Sequence, residues 1–465
     1  MKLSVSKRRM WTLGAAAVLL GCLAGCKSVK ESTNVTIDEK TFPDAEFRRI
    51  VSTEFDLNSD GKLSPSEINA VTDIDVSVSG IHDLKGIELF SELAFLDCSC
   101  NYLAYMDVSH NGELKYLRCY ENRLMELDVS KNPELVELDC RDNQLETLDV
   151  SKNPELFELT CSNNQLTSLD VTENPRLQYL LCEHNHLTEL DTTKNLLLRA
   201  IYCDHNQLDH LDVTHNPLIG MLGCTWNRLK ELDVSKCSLE IVVDAGDDVK
   251  INNEDKEPDK GCPIDEEHFP DEAFRDYILQ RIDKDGNRIL SEREANSTGL
   301  ISLDSIRIRN LKGLEYFPLL VHLEIYGCEL TELDLSANTY LSFLSCIGLN
   351  LTELDLSKNS ELTNVWCNYN ELSKLDISGC ERLWALHCQD NQLKTLDCSN
   401  NRKLVQLDCS NNPLTDLDIR NASKRLIINV DPRDDLVVHT PDGERPGSSF
   451  KSSEDATKSS RFGIK

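Results

Sequence analysis

Two twelve-residue stretches carry oxygen ligands at the spacing that a calcium ion requires. Asp56, Asn58 and Asp60 offer side-chain oxygens, Lys62 its carbonyl, Ser64 a direct or water-mediated contact, and Glu67 two carboxylate oxygens, matching every ligating position of the twelve-residue loop. Gly61 stands where that loop turns sharply, and Leu63 is expected to point into a core. Asp283, Asp285, Asn287, Ile289, Ser291 and Glu294 repeat the oxygen set, with Arg288 in place of the turn glycine. A left-handed non-glycine residue costs on the order of 1 kcal/mol, so the second loop is expected to bind more weakly. Calcium at ordinary extracellular concentrations would keep such sites filled, which makes it a structural rather than a switching ion.

Other chemistry-bearing side chains lack partners at useful spacing. Eleven cysteines recur every 21 residues: Cys98, Cys119, Cys140, Cys161, Cys182, Cys203 and Cys224, then Cys346, Cys367, Cys388 and Cys409. In-register strands lie about 4.8 Å apart with side chains pointing the same way, which disfavours disulfides, and a line of thiols cannot surround an ion tetrahedrally. They are expected to be inert core residues, with Ile325 filling the same position once. His184, His186, His205, His210 and His215 fall at turn positions without an acidic or thiol partner at ligand spacing. The chain shows no nucleophile elbow, phosphate loop or zinc-protease helix. No catalytic residue is assigned, and the chain is expected not to be an enzyme.

The elements positioning these residues follow from the period. Each cysteine lies in L-x-x-L-x-C-x-x-N-x-L, as in Leu135, Leu138, Cys140, Asn143 and Leu145, followed by L-x-x-L-D-V-S-x-N, as in Leu148, Asp149, Val150, Ser151 and Asn153. Leucines at this spacing with one asparagine per turn define a leucine-rich repeat solenoid of parallel β coils, with a 21-residue nested repeat. An extended strand is expected on each side of the coil, the back less regular than the front. A gap-free offset of 227 residues superimposes two halves: Phe42, Pro43, Asp44 and Phe47 return as Phe269, Pro270, Asp271 and Phe274. The expected organisation is two tandem solenoids, at 79–249 and 306–432, preceded by small helical EF-hand-like caps at 37–78 and 264–305. Residues 250–263 are expected to form a linker, and 433–465 a disordered tail.

Residues 1–25 read as a leader: Lys7, Arg8 and Arg9 precede an apolar run ending Leu23-Ala24-Gly25-Cys26. That ending is similar to the lipobox of bacterial lipoprotein precursors, which implies lipidation at Cys26 and a polar tether over 26–36. A formal net charge of −31 disfavours nucleic acid and anionic membrane surfaces as partners. No later segment approaches the ~20 apolar residues of a membrane span, so membrane attachment is expected through lipid alone.

Taken together, caps and repeats resemble the secreted bacterial leucine-rich repeat proteins of internalin type, and the chain also looks like leucine-rich repeat lipoproteins of gut anaerobes. The resemblance implies a lipid-anchored protein of the cell envelope, at the outer membrane or cell surface, acting as a binding or adhesion module for a protein or glycan. The back half of each coil changes little, whereas outward positions flanking the front strand vary. The expected ligand-binding residues are Tyr116, Tyr120, Tyr179 and Tyr202 in the first half, and Tyr326, Phe343, Trp366, Trp384 and His387 in the second. A structural or assembly scaffold of the envelope is the alternative function.

Overall fold

Leucine at four of the six inward apolar positions, as at Leu135, Leu138, Leu145 and Leu148 beside Cys140 and Val150, closes each 21-residue segment into one coil, and the coils stack in register. The structure, a computed structural model, describes residues 34–447 except 239, 255–260, 305–307, 424–425 and 442. Among these residues, a nine-stranded parallel front sheet runs from Asp73–Asp75 to Val242–Asp244, and a seven-stranded one from Leu300–Asp304 to Ile427–Asn429. Neighbouring strands pair one repeat apart, Leu117 with Leu138 and Leu138 with Leu159. The inward Leu135, Leu138, Cys140 and Leu145 are fully buried, as are their equivalents along both stacks.

Both stacks run past the expected boundaries. Lys250–Asn252, in the expected linker, pairs in parallel with Glu231–Asp233. The tail expected to be disordered from 433 instead carries Val437–Thr440, paired in parallel with Asp416–Asp418, and a closing strand Gly443–Pro446. Leu436 and Val438 are buried and supply the apolar anchor that composition had obscured. Back strands form throughout much of the second stack, from Glu353–Asp355 onward, but over most of the first stack the back is built of turns. The aspartate ladder serves those turns: Asp107, Asp128 and Asp149 each accept the backbone N–H two residues on, at 2.8–2.9 Å. The hydroxyl and backbone N–H of the serine two residues on together hold the carboxyls below their ordinary range.

Two asparagine ladders satisfy the coil corners. At the front, Asn143 donates Nδ2 to the carbonyls of Cys119 and Cys140 and accepts from Leu124 N–H. At the back, Asn153 donates Nδ2 to Val129 O and Asn132 O, both at 2.9 Å, while its Oδ1 is buried without a partner. Three cysteines outside the main ladder occupy these same corners. Cys237 and Cys380 stand where the back asparagine would be and direct Sγ to the carbonyl 24 residues earlier, at 3.4 and 3.3 Å. Cys328 takes the front asparagine's place.

Each stack is headed by a helical pair. Helix α1, Ala45–Glu54, starts at Asp44, whose Oδ1 caps Glu46 and Phe47 N–H while Oδ2 accepts His82 N–H from the first coil. Helix α2, Pro65–Ala70, follows the first loop. The copies are α3, Glu272–Arg281, and α4, Glu292–Ser297, with Asp271 reaching Arg309 N–H in the same way. Gly86 fits beneath the Phe42 ring at φ +104°, where an added Cβ would fall 2.3 Å from the ring.

Candidate functional site: cap loops and front sheets

The first cap loop lies between α1 and α2 and is closed by its own ligand residues. Asp56 accepts Asp60 and Gly61 N–H, Asn58 accepts Asp60 N–H, and Asp60 accepts Lys62 N–H, all at 2.9–3.1 Å. Glu67 accepts Leu57 N–H and Ser64 N–H, completing a capping box with Ser64 at the start of α2. The Ser64 backbone and hydroxyl bonds hold the Glu67 carboxyl below its ordinary range. Lys62 begins the short strand that runs into the fully buried Leu63.

The second loop repeats the geometry between α3 and α4. Asp283 accepts Gly286 and Arg288 N–H, Asp285 accepts Asn287 N–H, Asn287 accepts Ile289 N–H, and Glu294 bonds Lys284 and Ser291. Arg288 adopts φ +64°, the left-handed turn expected of it. Oxygens of Asp283, Asp285 and Glu294 lie within 4.8 Å of one another. Their hard-oxygen character and convergence fit a calcium ion. The two loops carry the same number of carboxylates, with the single amide at the second ligating position in the first loop, Asn58, and at the third in the second, Asn287.

The front sheets array aromatic and charged side chains one coil apart. In the first stack Arg118 lies 5.6 Å from the Phe95 ring centroid and bonds Glu137 at 2.7 Å. Arg141 covers Tyr120 at 4.4 Å and pairs with Asp139 at 3.2 Å. Burial pushes the Asp139 carboxyl up to about 6 against the pull of Arg141, and burial with the Glu137 charge raises Glu158 as well. Tyr116 packs beside Phe95, Tyr179 beside Phe157, and Tyr202 directs its hydroxyl to Met221 Sδ at 3.7 Å.

In the second stack His322, Phe343, Trp366 and His387 form one continuous ring ladder, with centroid separations of 4.2, 5.0 and 6.2 Å. Tyr326 ends the same strand as His322. Trp384 stands apart from that ladder, one position before its strand and 41 % exposed. A third ring column, His184, His205 and Trp226, stacks at the left-handed corner of successive coils. Its spacing was present in the sequence, but Trp226 was not grouped with the histidines. The thiol ladder is fully buried, and burial raises its members far above the range in which thiolates form at neutral pH. Cys26 lies outside the described residues.

These coils define a leucine-rich repeat β-solenoid with tandem repeats. Among the described residues, no helix is long and apolar enough to cross a membrane. No family model matches the chain, and no curated protein matches it. Among solved structures it is similar to the functional domain of InlJ from Listeria monocytogenes, which includes a cysteine ladder, at 26 % identity over 81 % of this chain and 80 % of that one, TM-score 0.33. It is also similar to the internalin InlF from Listeria monocytogenes, at 15 % identity over 87 % and 99 %, TM-score 0.41. The leucine-rich effector YopM from Yersinia pestis matches at 20 % identity over 83 % and 94 %, TM-score 0.35.

Proposed function

We propose that this chain is a noncatalytic, extracytoplasmic binding module, anchored by lipid at Cys26, whose front sheets adhere to a protein ligand. Its organisation is two tandem solenoids with EF-hand-like caps, each cap loop binding a structural calcium ion. The observation that carries the reading is the ring ladder of His322, Phe343, Trp366 and His387 on a rigid parallel sheet. Rigid aromatics in a row offer a large contact area at small conformational cost. The arginine–aromatic patch around Tyr116, Tyr120 and Arg141 offers a second anchoring area on the first sheet.

The test is adhesion of intact protein to immobilised extracellular-matrix proteins and to a glycan array, comparing wild type with Trp366→Ala and Trp384→Ala. Binding to protein that falls at least tenfold in Trp366→Ala, with unchanged thermal unfolding, supports the reading. Binding confined to glycans, or untouched by either substitution, refutes it. For the caps, calcium should raise the melting temperature of wild type but not of Asp283→Asn combined with Asp56→Asn. Labelled palmitate should enter wild type and not Cys26→Ala.

A further inference from the structure

The position just before each L-x-x-L, at one corner of the coil, carries a pattern that the repeat itself does not require. Ascending the first stack beyond Glu92 and Glu113 it reads Glu134, Glu155, Arg176, Leu197, Leu218; ascending the second it reads Leu319, Tyr340, Glu361, Arg382, Lys403. One list is the other's complement in reverse order. The structure sets them against each other in that order: Glu134 bonds Lys403 at 2.8 Å, Glu155 bonds Arg382 at 2.8 Å, and Arg176 bonds Glu361 at 3.0 Å. Beyond the charges, Leu197, Leu218 and Leu319 form a separate buried apolar cluster with Tyr340 packed against it.

We propose that this corner column is an interaction surface whose partner is the other half of the same chain, docked antiparallel so that both front sheets form one composite face. Alternative pairings are penalised by the same residues. Sliding one stack by one coil sets Glu155 against Glu361 in one direction and Arg176 against Arg382 in the other. Pairing the first stack with another first stack sets Arg176 on Arg176 and both Glu134 and Glu155 on leucines when antiparallel about Arg176, and Glu155 on Glu155 when antiparallel about Glu155. The second stack paired with itself sets Glu361 on Glu361. Like charges and desolvated carboxylates thus select one partner and one register.

Three acids and three bases neutralise one another in the cluster, and its central member is largely buried: the Glu155 side chain is 13 % exposed. Burial alone would raise that carboxyl, yet Arg382, Lys403 and Arg176 together hold it below the ordinary range. Because the two columns are the same repeat position running in opposite directions, a twofold rotation across the seam relates the stacks. Such a rotation keeps both front sheets on one side. Val136 and Phe157 of the first stack and Ser342 and Thr363 of the second, each next to its front strand, line the shared cleft at the seam.

Zero-length carbodiimide cross-linking of the full chain, read by mass spectrometry, tests this directly. Lys403 should be joined to Glu134 or Glu155 in the monomer band, alongside the control pair Lys236–Glu292, 3.9 Å apart at the junction. Glu155→Lys should reduce the Lys403–Glu134 link at least tenfold and lengthen the particle roughly 1.5-fold by X-ray scattering, from stacks of about 4.8 Å per coil. Lys403→Glu, at a more exposed position, should lengthen it likewise with the coils intact by circular dichroism. Absence of the link in wild type while the control forms, its confinement to a dimer band, or unchanged dimensions in both variants would overturn the proposal.

Discussion

Replacing Asn153 by alanine tests whether the back asparagine ladder holds the coils together or merely fills their corner. The side chain is fully buried and donates to Val129 O and Asn132 O, both at 2.9 Å. Each carbonyl keeps one turn bond, from Asn132 N–H and Leu135 N–H, so the variant leaves them under-bonded rather than orphaned. Two lost bonds at about 1 kcal/mol each and a small cavity of about 1 kcal/mol oppose about 1 kcal/mol of relief from removing the unpartnered Oδ1. The net is a destabilisation of about 2 kcal/mol. The chain holds its own comparison, since Cys237 and Cys380 occupy this corner and direct a thiol to one carbonyl only. Asn153→Cys should therefore fall between wild type and Asn153→Ala in urea denaturation followed by circular dichroism. A midpoint for Asn153→Ala equivalent to less than about 0.5 kcal/mol, or a cysteine variant as unstable as alanine, would refute the reasoning.

Further substitutions probe the caps and the front face. Gly86→Ala combines φ +104° with a Cβ 2.3 Å from the Phe42 ring, and should cost at least about 3 kcal/mol in thermal unfolding, with loss of near-ultraviolet signal from the cap. Asp139→Asn should stabilise at pH 7. A carboxyl raised to about 6 from 3.8 binds more protons folded than unfolded, so its penalty on the fold grows as pH rises from 3.8 and reaches about 3 kcal/mol above pH 6, and the advantage of asparagine should vanish near pH 3.5 in urea titrations. Arg293 bonds Cys237 O, Ser238 O and Asn253 Oδ1 from the second cap, so Arg293→Ala should speed amide exchange over 231–253 while leaving the middle coils protected.

The coil was legible because its determinants are local and repeated. Leu138, Cys140 and Asn143 recur at one period, and a period of alternating inward residues admits few folds. The left-handed turn at Arg288 and the inward Leu63 were legible for the same reason, as each follows from a loop whose geometry is set within twelve residues. The ends were harder. Val437–Thr440 and Lys250–Asn252 have lost the leucine–aspartate frame of the back half and keep their place only by pairing with the coil before, a stabilisation that no window of sequence contains. Trp384 shares a coil with His387 and so lies one coil from Trp366, but it stands three residues before the position that pairs with Trp366, on the seam side of the strand.

The complementary corner column marks the boundary between these two kinds of information. Its residues are as periodic as the leucines, and the reversal of charge order between halves is written in the chain. Periodicity, however, identifies which residues share a column, and says nothing of which columns face one another. That requires the direction in which the second stack returns, which is set where the second cap docks through Arg293 onto the last coil of the first. Once that turn is made, Glu155 and Arg382, equivalent residues of the two copies, meet on the symmetry axis. A duplicated surface in which the equivalent position is acidic in one copy and basic in the other can bind itself only between copies. The charge difference between Arg382 and Glu155 is therefore what makes one half a partner for the other, and removing it in Arg382→Glu should separate the halves without unfolding either.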